Sequence, residues 1–295
     1  MQEFRKSIDV GGIETAYYER GSGPILVLFH GGNFGSGELA DSALDWSLNF
    51  DALAERYHVF AIDKIGQGYS DCPKSDEDYT MAATVRHACK TMDELGLKNV
   101  HVAGHSRGGY LVCRMTQKRP DLVATCTIID SNSGAPGIGL NEIVLANPPG
   151  EPRSAETQRW IAEHYSYSPA HVSDDWINAM VEIAERPAYI EAWTKMAVEG
   201  LRTTRFMPGL ARDKMDMFAW LRDTGINRPT QLIWGYNDPT APVDMGRALF
   251  DLIAARERRA QFSVINEAGH FSYREHPRAF NALLHAFIEG VSGTD

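Results

Sequence analysis

The stretch VHVAGHSRGGY, residues 100–110, runs an apolar β-type segment straight into a serine boxed by glycines at 104 and 108. GHSRG fits the pattern G-x-S-x-G, and its place after a strand and before a helix gives the pattern meaning. The helix is predicted by Tyr110, Leu111, Met115 and Lys118, followed by Pro120, which ends it. A strand that turns into a helix this sharply forces Ser106 into strained dihedrals, and the flanking glycines let neighbouring backbone pass. The result is a hydroxyl above the carboxyl ends of the strands, at a helix N-terminus whose N–H groups can hold a developing oxyanion. Ser106 is therefore the candidate nucleophile.

Working outward, short apolar runs recur at 25–29 (ILVLF), 59–62 (VFAI), 127–130 (TIID), 231–234 (QLIW) and 262–265 (FSVI). Runs of this length suit strands buried on both faces. Between them lie helical patterns. Met245, Ala248, Leu249, Leu252 and Ile253 follow a helical spacing in 243–254, as do Phe280, Leu283, Leu284, Phe287 and Ile288 in 277–289. Residues 7–10 and 13–19 predict a β-hairpin turning at Gly11-Gly12. The alternation predicts an α/β fold: a mostly parallel sheet with helices on both faces. It breaks between 134 and 225, where Gly/Pro-rich turns give way to helical segments such as TQRWIAEHY, DWINAMVEIAE, AYIEAWTKMAVEGL and KMDMFAWLRD. The expected organisation is a core domain, 1–133 with 226–295, carrying a helical cap inserted at 134–225.

The bulk composition narrows the function. A formal net charge of −10, from 39 acidic and 29 basic residues, argues against nucleic acid or an anionic membrane as partner. The first ten residues, MQEFRKSIDV, lack the apolar core of a signal peptide, and no run reaches a membrane span. Cys72, Cys89, Cys113 and Cys126 form no CxxC pair and are expected reduced and mostly buried. The expectation is a cytoplasmic protein acting on a small molecule, with no metal or organic cofactor and a homodimer as the candidate assembly.

A serine hydroxyl needs a base. His270, in NEAGHFSYREHP, follows the run at 262–265 and precedes the last helix, so a loop can hold it over the sheet. The carboxylate that orients it should end an earlier strand. Asp238, in QLIWGYNDPTAP, is that residue, with Asp130 at the end of TIID as its competitor. HGGNFGSG, 30–37, follows a buried strand, and its glycines allow close backbone approach. The expected oxyanion donors are the amides of Gly32 and Arg107. Asp63 and the glycines of DKIGQGYSD should build a turn under the site. Gly31, Asn33, His105, Trp193 and Phe271 are candidate pocket residues. Four of the six tryptophans lie in 134–225, which favours an apolar wall and a hydrophobic or aromatic substrate.

HGG at 30–32, DKIGQGYS at 63–70, GHSRGG at 104–109, WGYNDPTAP at 234–242 and AGHFSYREHP at 268–277 span most of the chain. Together they resemble the α/β-hydrolase superfamily, and 134–225 resembles its variable cap. The C-terminal third is similar to the meta-cleavage-product hydrolases, which cut a carbon–carbon bond in vinylogous 1,5-diketones from aromatic ring breakdown. That group tends to have Asn before the serine and Trp after the histidine, where this chain has His105 and Phe271. It usually offers a cap arginine to the substrate carboxylate; Arg186 and Arg202 are the candidates here. The resemblance implies a hydrolase of an ester, a lactone or an activated C–C bond. A cofactor-independent oxygenase or lyase using the same Ser/His as base, and a non-catalytic ligand receptor, remain as alternatives.

Overall fold

A computed structural model describes residues 1–292. Eight strands form one sheet: β1 (Arg5–Asp9), β2 (Glu14–Arg20), β3 (Ile25–Phe29), β4 (His58–Ile62), β5 (Val100–His105), β6 (Val123–Ile129), β7 (Thr230–Gly235) and β8 (Gln261–Ile265). Their order across the sheet is β1-β2-β4-β3-β5-β6-β7-β8. The β1/β2 and β2/β4 pairs are antiparallel, and every other pair is parallel. The first hairpin starts two residues earlier than its pattern suggested. Val10 leaves the ladder to bond Ile13 across Gly11 and Gly12, which take φ +67° and +81°.

The apolar runs form central strands because both faces are covered. Along β3, Val27 and Phe29 enter one core while Leu26 and Leu28 enter the other. In β4, Phe60 and Ile62 separate from Val59 and Ala61 in the same way. Helices Met81–Glu94, Arg107–Lys118 and Val243–Ala254 supply the first core; helices Phe50–Ala54 and Pro277–Ser292 supply the second. Cys89, Cys113 and Cys126 are buried, Cys72 is half-buried, and all four are free thiols.

The chain between β6 and β7 is helical and crosses above the carboxyl ends of the strands. Its helices include Ala155–Tyr165, Asp174–Ala184, Pro187–Trp193 and Met207–Asp223. One element differs from the sequence pattern. The run AYIEAWTKMAVEGL does not make a single helix: it ends as an α-helix at Trp193 and continues as a π-helical turn, Thr194–Val198. Gly200, at φ +76°, then breaks it before a second π-helical turn, Arg202–Phe206. Periodicity cannot register this, because a single five-residue turn is too short to show a period of its own. No helix among the described residues is long and apolar enough to cross a membrane.

Candidate active site

Ser106 joins β5 to helix Arg107–Lys118 with φ +52° and ψ −117°. A side chain in that region costs ~1–3 kcal/mol, so the surroundings must enforce it. Ser106 N donates to Ile129 O at 2.8 Å, and Ser131 Oγ donates to Ser106 O at 2.5 Å. The glycines are required by distance. A Cβ on Gly104 would stand 2.1 Å from Gly108 O, and one on Gly108 would stand 2.5 Å from Phe29 O.

The residues singled out on three separate strand ends meet here. His270 Nε2 lies 3.1 Å from Ser106 Oγ, and His270 Nδ1 lies 2.7 Å from Asp238 Oδ2. Asp238 Oδ1 accepts from Thr240 N, Ala241 N and Thr240 Oγ1 at 2.8, 2.8 and 3.0 Å. The carboxylate thus has one oxygen fixed by donors and the other aimed at the imidazole, both groups being buried. Asp130 is engaged elsewhere: it accepts from Gly235 N at 2.7 Å and from Ser272 Oγ at 2.5 Å. Burial, and then the charge of Asp238, push its carboxyl well above the usual range.

The HGG loop is set by Lys64. Its Nζ donates to Gly31 O at 2.7 Å and to Gly32 O at 2.8 Å. A trans peptide points its N–H opposite its C=O, so the Gly32 N–H faces away from Lys64. Asp41 lies against Gly32, where a Cβ would meet its Oδ2 at 2.2 Å. Burial and the neighbouring Asp45 push the Asp41 carboxyl well up, and burial pulls the Lys64 ammonium down. Asp63 accepts from Ala43 N and Tyr69 N at 2.6 and 2.8 Å, tying together the turn beneath the loop.

A cavity of about 270 Å³ opens above Ser106. The pocket candidates Asn33, His105 and Phe271 line it, as do Gly32 and Arg107, the expected oxyanion donors. Gly31 lies behind it, its Cβ position 3.3 Å from Ser106 Cβ. Trp193 stands outside the lining, with the Arg153 guanidinium 4.7 Å over its ring and its backbone against Gly35. The pattern could mark Trp193 as apolar but not the direction it faces. Arg202 lines the cavity; Arg186 does not, bonding Gly68 O at 2.6 Å and covering the Tyr69 ring.

Several contacts around the site carried no sequence signal. Tyr165 stacks on the His270 ring, 4.8 Å between centroids, and its carbonyl accepts from His270 N at 2.8 Å. His105 Nε2 donates to His270 O at 2.8 Å, so this residue braces the histidine loop as well as lining the cavity. Glu275 accepts from Gly269 N, Tyr167 N and Ser168 N at 2.7, 3.0 and 2.9 Å, fastening the helical segment to that loop. Lys214 reaches the cavity from helix Met207–Asp223.

Comparison with known proteins fits this geometry. The family described as alpha/beta hydrolase fold matches residues 24–277. A 2-hydroxymuconate semialdehyde hydrolase of Pseudomonas sp. (strain CF600) is 26% identical over 288 residues, 97% of this chain and 94% of its own. A 2-hydroxy-6-oxononadienedioate/2-hydroxy-6-oxononatrienedioate hydrolase of Pseudomonas sp. is 29% identical, across 90% of this chain and 87% of its own. The crystal structure of a meta-cleavage product hydrolase, CumD, superposes with a TM-score of 0.78 at 25% identity, covering 98% of this chain and 100% of that one.

Proposed function

The chain belongs to the alpha/beta hydrolase fold family, and on that premise we propose that it is a serine hydrolase acting on a small carbonyl substrate, with the C–C bond of a 2-hydroxy-6-oxo-dienoate as the bond cut. The observation that carries the reading is the unbroken relay from Ser106 through His270 to Asp238, at 3.1 and 2.7 Å, beneath a cavity. The similarity to hydrolases named for such dienoates supports the substrate class. Esters and lactones, which need only a better leaving group at the same carbonyl, are hydrolysed by the same steps.

In this reading Ser106 Oγ attacks the carbonyl carbon while His270 Nε2 takes its proton. The amides of Gly32 and Arg107 hold the oxyanion, their positions fixed before reaction by Lys64 and by the helix start. The dienol first shifts its hydroxyl proton to the carbon beside the reacting carbonyl, because only that keto form can take up the pair of the broken bond by conjugation. When the tetrahedral adduct collapses, the C–C bond breaks, the pair passes along the chain to the distant keto oxygen, and the dienolate takes the proton from His270. An acyl-Ser106 remains. His270 then removes a proton from water, hydroxide equivalent adds to the acyl carbon, and the carboxylic product leaves as Ser106 recovers its proton. The sum is one water added across one bond. The helical segment 134–225 acts as the lid that keeps other water out.

The test is turnover of a ring-fission dienoate and of aryl esters by wild type and Ser106→Ala, with fluorophosphonate labelling of Ser106. A loss of ~10³-fold or more in kcat is expected. Near-normal turnover in Ser106→Ala refutes the nucleophile. Proton abstraction without any acyl adduct favours an oxygenase or lyase, and tight ligand stabilisation with no turnover favours a receptor.

A further inference from the structure

Arg107 has an amide with an assigned use and a side chain without one. Its guanidinium lines the cavity beside the nucleophile and lies 5.1 Å over the Phe206 ring. Its Nη1 is buried with no hydrogen-bond partner. The chain treats another arginine differently. Arg114, on the same helix, bonds Asp213 through Nε at 3.1 Å and Nη2 at 2.5 Å, and Gln117 at 2.6 Å. Arg107 is half-buried, and a buried guanidinium nitrogen left without a partner is costly, so its persistence at a cavity wall calls for an anion that arrives from outside.

The surrounding charges agree. Arg202 and Lys214 line the same cavity, and Lys214 is already spent in part on Asn132 O, at 3.2 Å. Burial and then Arg202 disfavour the Arg107 charge; burial and then Arg107 bring the Lys214 ammonium down to about 8. The acids on the cavity wall are Glu38, Asp41 and Glu142, and none forms an ion pair with Arg107 among the described residues. Burial and then Asp45 push the Asp41 carboxyl well above the usual range. Arg202 also has no ion pair among the described residues, so two guanidinium groups and an ammonium line one cavity, and neither guanidinium is engaged by a direct salt bridge.

We propose that the Arg107 guanidinium, on the sheet side of the cavity and one residue from the nucleophile, anchors a carboxylate of the substrate, with Arg202 facing it from the helical segment. The inference rests on the reading of this cavity as a serine hydrolase site and names a specificity residue within it. A guanidinium presents a planar fork that matches a carboxylate, whereas Lys214 offers a point charge. The Phe206 ring beneath holds the fork in place.

The experiment compares two p-nitrophenyl esters of equal length, the neutral pentanoate and the glutarate monoester, in wild type, Arg107→Met, Arg107→Lys, Arg202→Met and Lys214→Met. Methionine keeps the packing on Phe206 and removes the charge. Charge-assisted hydrogen bonds of this kind predict that the glutarate-to-pentanoate ratio of kcat/KM falls about 30-fold in Arg107→Met, mainly through KM. Arg107→Lys recovers part of it. A second arm measures the Kd of glutarate and of its diamide for Ser106→Ala with and without Arg107→Met; only the carboxylate should weaken. Equal losses on both esters would assign Arg107 to bracing Phe206 and overturn the proposal. So would an unchanged ratio, or a ratio that collapses only in Arg202→Met or Lys214→Met. If wild type cleaves neither ester, the hydrolase reading fails, while the binding arm still decides the anchor.

Discussion

Replacing Asp238 by Asn tests the relay with almost no change of shape. The carboxylate receives two backbone N–H groups on Oδ1, from Thr240 and Ala241, both at 2.8 Å. An amide nitrogen placed there would oppose two donors, so the Asn oxygen must take that position. Its NH2 then points at His270 Nδ1, 2.7 Å away in the native geometry. Nδ1 is forced to accept, the ring proton moves to Nε2, and Nε2 can no longer take the proton of Ser106 Oγ, 3.1 Å away. The imidazolium also loses its counter-charge. The same inversion in a serine protease triad costs about 10⁴ in kcat, equivalent to about 5.5 kcal/mol at 1.36 kcal/mol per decade. Stability should hardly change, since the hydrogen bonds are exchanged rather than lost; about 1 kcal/mol corresponds to a fall of ~2 °C in Tm. The assay is steady-state hydrolysis of an aryl ester beside a thermal melt of the same sample. An Asp238→Asn protein that melts normally and keeps more than about a tenth of kcat would refute the assignment.

Asp130→Asn serves as the matched control. Its carboxyl accepts from Gly235 N and Ser272 Oγ and stands outside the relay, and burial pushes it well above the usual range, so kcat should stay within about tenfold of wild type, measured with the same ester. Gly104→Ala places a methyl 2.1 Å from Gly108 O, a backbone atom that cannot swing aside. Overpacking of this kind should cost about 3 kcal/mol or more in denaturant unfolding, with loss of activity from a displaced Ser106. Asp63 provides a pH test. Burial raises its carboxyl to about 7, above the unfolded value of about 4. A raised carboxyl stabilises the fold below the unfolded value and loses that contribution as pH climbs to about 7. Wild type should therefore lose stability relative to Asp63→Asn by up to about 1.4 kcal/mol per pH unit between pH 4 and 7; parallel melting curves across that range would contradict the raised value.

The order of strands and helices was legible because each carries a local periodicity, and GHSRG was legible because it joins an apolar run to a helical pattern and Gly104 answers a contact four residues on, at Gly108 O, although Gly108 answers Phe29 far back in the chain. His270 and Asp238 could be picked out by their place after apolar runs. The brace around them could not. Tyr165, His105 and Glu275 act through a ring face, a histidine carbonyl and three backbone amides. None of these partners has a spacing to read. The π-helical turns at Thr194–Val198 and Arg202–Phe206 escaped for a different reason: each is a single turn of five residues, too short to show a period of its own.

The sequence by itself determined the parallel sheet, the strained serine and the residue types that make it reactive, since periodicity, glycine placement and chain order are local properties. Only the tertiary structure decided which side chains share the cavity. It turned Trp193 and Arg186 away and brought Arg202 and Lys214 over the nucleophile. It left the Arg107 guanidinium beside them without an anion. The direction a side chain faces depends on how a helical segment docks over strands far away in the chain, and that docking is a sum of distant contacts with no trace in any local pattern.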